Sequence, residues 1–312
     1  MRLIPKRPWL RILIGVVAVL AVVLFSKWRE ATNNGGQKYA EPFRIAGNLY
    51  YVGANDVTSF LITGPEGHVL IDGGYPGTAP MIMASIAQLG FKITDVKVLL
   101  NSHAHFDHAG GLAELQKASG AELWISEGDA DVVAAGGAGD PAAGIFRFIT
   151  YFVRYPAPRV DHRFKDGAKV RVGPIELTAN VTAGHTRGCT SWSFPVRDGD
   201  RELLVVHICS LTLMGNQSLV EPETYPGIRA DWEHSFEKLR SLPADIWLAS
   251  HAREFGRWRK FQQRATAKTP ADPFIDRAGY LSAIDKAEER FRNELAAQQR
   301  DPSLMGRIRR GL

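Results

Sequence analysis

The first apolar run of the chain is Ile12 to Phe25, ILIGVVAVLAVVLF, with four Lys/Arg before it and Lys27-Trp28-Arg29-Glu30 after it. Beyond a polar linker, Glu30 to Lys38, the pattern changes to short runs separated by turn residues. FRIAGNLYYVG (43–53), VTSFLIT (57–63) and HVLID (68–72) read as strands, punctuated by turns such as Gly64-Pro65-Glu66-Gly67. They predict an antiparallel meander. TAPMIMASIAQLG (78–90) has helical spacing, VKVLL (96–100) reads as a buried strand, and a helix is predicted from Ala109 to about Ser119. ELWIS (122–126) is a further strand and EGDADVVAA a further helix. Residues 136–160 are Gly-rich and then aromatic (GIFRFITYFVRYPAP), and they fit no template. Strand patterns return at KVRV (169–172), IELTANV (175–181), SWSFPVR (191–197) and ELLVVHI (202–208). ADWEHSFEKLRSL (230–242) predicts a helix, DIWLAS (245–250) a strand, and the stretch from Pro273 to about Gln299 a long amphipathic helix. Two similar halves, each a set of strands followed by helices, predict a layered α/β sandwich with helices on its outer faces.

The chain divides into residues 1–40, a leader or anchor with its linker, a globular body over 41–300, and a basic tail over 301–312. The apolar run holds 14 residues, where a bare spanning helix needs about 20. Its basic start and short core match a secretory signal. Counted from Trp9, across Arg11, the stretch reaches 17 residues, which is enough for an uncleaved membrane anchor. Either way export is expected. The formal charge of +5 also belongs to this segment: residues 1–40 carry seven Lys/Arg and one Glu, which leaves −1 for the rest. A nearly neutral body gives no electrostatic footprint for nucleic acid. At 45% hydrophobic and 23% charged, the composition is that of an ordinary globular protein rather than a disordered chain. The two cysteines, Cys189 and Cys209, allow one disulfide in an exported protein, with a pair of buried free thiols as the alternative.

NSHAHFDHAGG (101–111) concentrates the chemistry. His103 and His105 follow directly on a buried strand, and positions i and i+2 of an extended segment share a side, so both rings can approach one metal. Asp107 and His108 stand in a turn towards the next helix and can face a second metal. Neutral imidazole and carboxylate are ligands that zinc prefers. Gly110-Gly111 gives the backbone room to turn beneath them. Partners are expected at other strand ends. TAGHTRGCTSW (182–192) puts His185 in a Gly-flanked turn, and WLASHAREFG (247–256) puts His251 just after a strand. His68, His162, His207 and His234 lack that placement and are expected in structural or surface roles.

The run His103-x-His105-x-Asp107-His108, with His185 and His251 later, resembles the metallo-β-lactamase superfamily, over roughly residues 41–300. The resemblance implies a four-layer αβ/βα sandwich with a metal site between its halves. GNLYYVG, LIDGG, GHTRGCTSW, ICSLTLMGN and PFIDRAGY look like the third subclass of zinc β-lactamases, the last two being the more discriminating. What that implies is one Zn2+ on His103, His105 and His185 and another on Asp107, His108 and His251. Relatives that cleave lactones or thioesters carry a bridging aspartate on a later strand, and the corresponding stretch, VVHICSLTL (205–213), has no carboxylate. Ser210 stands where another subclass has a metal-binding cysteine, and Cys209 is the rival for that place. The resemblance also suggests pairing Cys189 with Cys209, as in some third-subclass enzymes.

Zinc lowers the pKa of its water towards about 7, so the implied nucleophile is hydroxide, attacking a β-lactam carbonyl with Asp107 orienting it. Ser210 and Thr212 are candidates for the substrate carboxylate, and Asp72, at the end of LID, for a hydrogen-bond acceptor that steadies the ligand loop. The implied partner is a small β-lactam, acted on by a periplasmic monomer that is secreted or tethered to the inner membrane through residues 9–25. The alternative is a metallo-hydrolase of the same fold acting on a lactone, ester or thioester, since fold alone does not fix function. Ser250 before His251 and the aromatic insert 145–155 depart from the usual β-lactamase text and keep that alternative open. The insert itself has three readings: a flap over the site, a membrane contact, or an apolar cluster buried beneath a long loop. A diiron oxidoreductase of this fold would have an acidic residue in place of His105 and an attached flavin domain, and the chain has neither.

Overall fold

The computed structural model describes residues 37–152, 154–303 and 305–306. The expected leader or anchor and most of the basic tail lie outside the described residues. Among those described, no helix is long and apolar enough to cross a membrane.

The first half is a seven-stranded sheet: β1 (Phe43–Ala46), β2 (Leu49–Tyr51), β3 (Phe60–Gly64), β4 (Gly67–Ile71), β5 (Val96–Leu100), β6 (Glu122–Ser126) and β7 (His162–Phe164), in that spatial order. β1 to β4 form the expected antiparallel meander, and β4 to β7 run parallel. Parallel neighbours need crossovers. Helix α1 (Ala79–Gln88) makes the first; α2 (Phe106–Ala109) and α3 (Leu112–Ser119) make the second; α4 (Ala130–Ala134) lies in the third. The second half is a five-stranded sheet of β8 (Lys169–Val172), β9 (Ile175–Val181), β10 (Thr190–Asp198), β11 (Arg201–Ile208) and β12 (Ile246–Ala249), ordered β12-β11-β10-β9-β8. Only β11 and β12 pair in parallel there, joined through α5 (Ile228–Ser241). The chain closes with α6 (Arg257–Gln263) and α7 (Arg277–Arg300).

Side-chain parity stacks these elements in four layers. Phe60, Ile62, Val69, Ile71, Val98 and Leu100 point into one core with Leu177, Trp192, Phe194 and Val205 of the second sheet. Their neighbours Leu61, Leu70 and Leu99 enter a different core, with Ile82 and Ile86 of α1 and Leu112 and Leu115 of α3. Alternation with period two thus sends successive residues of one strand into two cores. On the far side Trp232 and Phe236 of α5 and Tyr280, Ile284 and Phe291 of α7 cover the second sheet.

Local boundaries differ from the sequence pattern in three places. The helix expected from Ala109 begins at Phe106, so Asp107 and His108 lie within a helical turn, and the pair Gly110-Gly111 separates α2 from α3. A Cβ on Gly111 would stand 2.3 Å from the carbonyl oxygen of Gly73, so that close approach requires glycine. The last helix starts at Arg277 rather than Pro273, because the Asp276 carboxylate accepts the Gly279 N–H and caps it. β7 and α6 were not expected: the first spans three residues, and the second is largely polar, RWRKFQQ.

Candidate metal centre

β5 delivers the chain into the ligand loop beside the end of β4, where Asp72 N–H donates to the Leu100 carbonyl at 2.9 Å. The backbone at His105 is still extended, and α2 starts at the next residue. His185 comes from the turn between β9 and β10, and His251 follows β12, bridged to Val57. The four segments meet at one end of the sandwich.

The imidazoles of His103, His105 and His185 form a triangle with centroid separations of 4.7, 4.8 and 4.7 Å. The His103 ring lies 4.3 Å from that of His108, and His108 lies 5.1 Å from His251. Asp107 Oδ2 stands 3.2 Å from His108 Nε2 and 3.6 Å from His251 Nε2. Two groups of three therefore adjoin along the His103–His108 edge. Donor atoms of His103, His105 and His185, and those of His103, Asp107 and His108, lie within 4.8 Å of one another. The floor is closed and the mouth open: His103 and His108 are 2% and 1% exposed, whereas the side chains of His105 and His251 are 20% and 19% exposed.

The outer nitrogens explain how the rings are held. His185 Nδ1 donates to the Thr212 carbonyl oxygen at 2.7 Å. His105 Nε2 faces Asp140 at 3.3 Å, His251 Nδ1 faces Asp56 at 3.1 Å, and His108 Nδ1 faces Asp72 at 3.6 Å. His103 Nδ1 meets the Ser102 hydroxyl at 3.0 Å. Such partners fix the tautomer and aim the other nitrogen inward. Asp72 also accepts from Asn101 Nδ2, Ser102 N and Ser102 Oγ at 2.9, 2.6 and 2.7 Å, which pins the start of the ligand loop.

This donor set fits a metal ion. The inward nitrogens His185 Nε2 and His105 Nδ1 are 3.1 Å apart, and their outer partners leave each with a lone pair. Such a contact is favourable only with a proton or a cation between them. His108 makes no well-aligned hydrogen bond through either ring nitrogen, although it is fully buried. Burial opposes charge on His108, yet Asp107 and Asp72 lift its pKa to about 10. Burial, with the neighbouring His105, pushes His185 down to about 3, and His103 is likewise held well below its ordinary value by burial and His108. Asp107 stays far below the usual carboxylate range despite burial, because His108 stands beside it.

Cys189 and Cys209 are joined in a disulfide. Their sulfurs lie close to His103, but bridged sulfur offers no thiolate, so Cys209 is not a ligand here. The Ser210 hydroxyl accepts the Thr212 N–H at 3.2 Å, and Thr212 itself is exposed at the rim. The aromatic insert is split: Phe148 is 64% and Phe152 84% exposed, whereas Tyr155 is buried and donates to the Ala104 carbonyl at 2.8 Å. Its base is tied to the site, since Asp140 also accepts the Ala142 N–H at 2.8 Å. His68, His162 and His234 stand apart from the cluster, and His207 packs against Phe60, its Nε2 3.5 Å from Ser250 Oγ. A Ser-x-x-Lys run, Ser235 to Lys238, lies in α5; Ser235 donates to the Ala183 carbonyl and Lys238 pairs with Asp166, so it forms no nucleophile pair.

Sequence reasoning missed four residues that build this site. Asp56 and Asp140 back His251 and His105. Asp129, buried in the loop before α4, accepts from Ala104 N at 2.9 Å, Thr186 Oγ1 at 2.7 Å and Gly188 N at 2.8 Å, and so ties the first ligand loop to the His185 turn. Gly188 admits that contact, since a Cβ there would meet Ser126 Oγ at 2.1 Å and Asp129 N at 2.4 Å. Loop acids carry no periodic signal that would mark them out.

Residues 52–251 match the family model of the metallo-β-lactamase superfamily. The chain belongs to that superfamily. It is 38% identical to the solved structure of native FEZ-1 metallo-β-lactamase from Legionella gormanii, covering 84% of this chain and 98% of that one with a TM-score of 0.80. To BJP-1, a subclass B3 metallo-β-lactamase of Bradyrhizobium japonicum, it is 35% identical, over 86% of this chain and 98% of that one with a TM-score of 0.77. The third-subclass resemblance seen in the sequence agrees with these structures. The chain is also 28% identical, over 195 residues, to a hydroxyacylglutathione hydrolase of Jannaschia sp. (strain CCS1). That match spans 62% of this chain and 61% of the relative's length. A metallo-hydrolase of this superfamily is what both sets of relatives support.

Proposed function

We propose that the protein is a zinc-dependent hydrolase that opens the β-lactam ring of penicillins, cephalosporins and carbapenems. It would work in the periplasm as a monomer, secreted or tethered through residues 9–25. The observation that carries this reading is the segment after β11, which passes His103 and His185. It contributes a disulfide sulfur, a hydroxyl and a carbonyl, but no carboxylate. Among the described residues, Asp107 is then the one carboxylate facing the inward nitrogens. Coverage of 98% of FEZ-1, against 61% of the hydroxyacylglutathione hydrolase, points the same way.

His103, His105 and His185 would hold one zinc ion, and Asp107, His108 and His251 a second. Bound there, zinc polarises a carbonyl oxygen and acidifies water. The chain's own residues do the rest. Asp107, partly open to the mouth, would orient the attacking water. Buried His103 and His108 close the floor against bulk water. Thr212 holds His185 through its carbonyl and presents its hydroxyl at the rim, where it and Ser210 would meet the substrate carboxylate.

Thioester hydrolysis is the second reading, favoured by the likeness to hydroxyacylglutathione hydrolases. Steady-state hydrolysis of imipenem and of S-lactoylglutathione by the purified protein, with and without a chelator and with a metal count, separates the two. Turnover of imipenem that the chelator abolishes is the expected result. Turnover of the thioester alone would reject the β-lactamase reading and keep the metallo-hydrolase.

A further inference from the structure

Beside the metal centre lies a groove of about 520 Å³, between the segment after β11, the loop after β12, and α6 and α7. Its near end is Thr212, whose carbonyl holds His185, together with Arg253 and Glu254, which follow His251. Trp247 lines its apolar wall. Its outer end carries Arg259 of α6 and Lys286 and Arg290 of α7. Arg253 is paired with Asp56, and Asp276 in the same lining is paired with Lys260. Among the described residues, Arg259, Lys286 and Arg290 make no ion pair within 4.0 Å, and Glu254 and the Lys260-paired Asp276 are the carboxylates of the lining. Lys286 and Arg290 are four residues apart on one helix face, where like charges repel by a few tenths of a kcal/mol. A visiting anion would relieve that repulsion.

We propose that this groove is an anion subsite of the enzyme. It takes a carboxylate that the substrate carries away from its scissile bond, with Lys286 and Arg290 as the main counter-charges; this rests on the metallo-hydrolase reading. The groove borders the site through Thr212 and the residues that follow His251, and none of the six ligands lines it. Its charges lie on α6 and α7, outside the ligand loops, and their removal leaves the partners of the six ligands in place.

Benzylpenicillin and carbenicillin differ by one side-chain carboxylate and provide the test. The full chain, loaded with zinc, is compared with K286A/R290A and K286E/R290E by the ratio of kcat/KM for carbenicillin over benzylpenicillin. Two rim ion pairs of modest strength predict about a fivefold fall of that ratio in the first variant and a larger one in the second. Added salt should shrink the difference between native and variant proteins. An unchanged ratio overturns the subsite. If neither penicillin is hydrolysed, the β-lactamase reading fails, and the same compounds serve as unreacted ligands whose Kd ratio is read by calorimetry. A native protein without preference for carbenicillin, or variants that keep the preference, then overturn the subsite independently.

Discussion

Replacing Asp129 by asparagine separates what holds the fold from what holds the metals. Asp129 Oδ2 accepts from Ala104 N and Thr186 Oγ1, and Oδ1 accepts from Gly188 N. Asparagine has one carbonyl oxygen, which can keep the first two donors. Its NH2 then faces the Gly188 N–H, and a buried donor left without a partner costs about 1–3 kcal/mol. Against this stands the relief of a buried charge. Burial and the nearby Asp140 push the Asp129 pKa up from 3.8 to about 6. At 1.36 kcal/mol per unit, ionising it within the folded protein at pH 7 costs roughly 3 kcal/mol, which asparagine does not bear. The two contributions nearly cancel, so unfolding of the metal-free protein in urea should change by less than about 2 kcal/mol. Metal retention has no such offset. With the His185 turn untied from the first ligand loop, zinc affinity should fall about 10–100-fold, the usual effect of losing an outer partner. Competition against a chromophoric chelator measures it. Unchanged zinc affinity in a folded Asp129→Asn protein would refute the tie between the loops.

Four further outcomes are expected. Asp56→Asn, which weakens the hold on His251, should lower occupancy of the Asp107/His108/His251 side alone, so dialysed protein retains about one zinc where the native chain retains two. His207 is fully buried and its pKa is held down at about 4, mainly by burial; a folded pKa below the unfolded 6.5 means stability is lost as pH falls through that interval. His207→Phe removes that loss, so the stability of the variant relative to native should rise by roughly 2–3 kcal/mol between pH 7 and 4.5, read from urea melts at each pH. C189S/C209S opens a loop of 20 residues and should cost about 3 kcal/mol in the same melts. Because His108 is protonated up to about pH 10 without metal and must be neutral to ligate, zinc loading at pH 7 should release about one proton or more, measured by calorimetry in buffers of different ionisation enthalpy; no release would contradict the His108 assignment.

The fold was legible where periodicity was strong. VKVLL and IELTANV are both strands at their expected bounds, because a strand buried on both faces reads as an apolar run and one with a wet edge alternates. β7, three residues with one buried side chain, has too little pattern to declare itself. The start of α2 was misplaced because Phe106, Asp107 and His108 owe their helical turn to the packing of Gly110 and Gly111 on the segment after β4, a tertiary contact that no local propensity encodes. The inward side chains were visible because His-x-His at a strand end is rare without a reason. Their supports were not. Asp56, Asp129 and Asp140 are ordinary loop acids by sequence, and only chain closure over 195, 59 and 35 residues puts them against His251, Gly188 and His105.

Five aspartates gather at the site, and only one of them faces the inward nitrogens. Asp107 looks into the cluster, Asp56, Asp72 and Asp140 stand behind imidazoles, and Asp129 lies between the loops. Five neutral imidazoles contribute nothing to the sum. Two divalent ions in the proposed positions would bring +4 and Arg253, paired with Asp56, brings +1, set against these five carboxylates and that of Glu254, which lies beside His251 and Arg253. The ligands alone, with one carboxylate, would leave the ions far from neutrality in a site whose low dielectric makes uncompensated charge costly. Without ions the carboxylates draw protons instead: Asp107 and Asp72 lift His108 to about 10 against its burial, and Asp129, pushed up first by its own burial and then by Asp140, reaches about 6. Protons and metal ions therefore compete for the same negative enclosure, and an amide replacement of any of these acids shifts that competition against the metal by one charge.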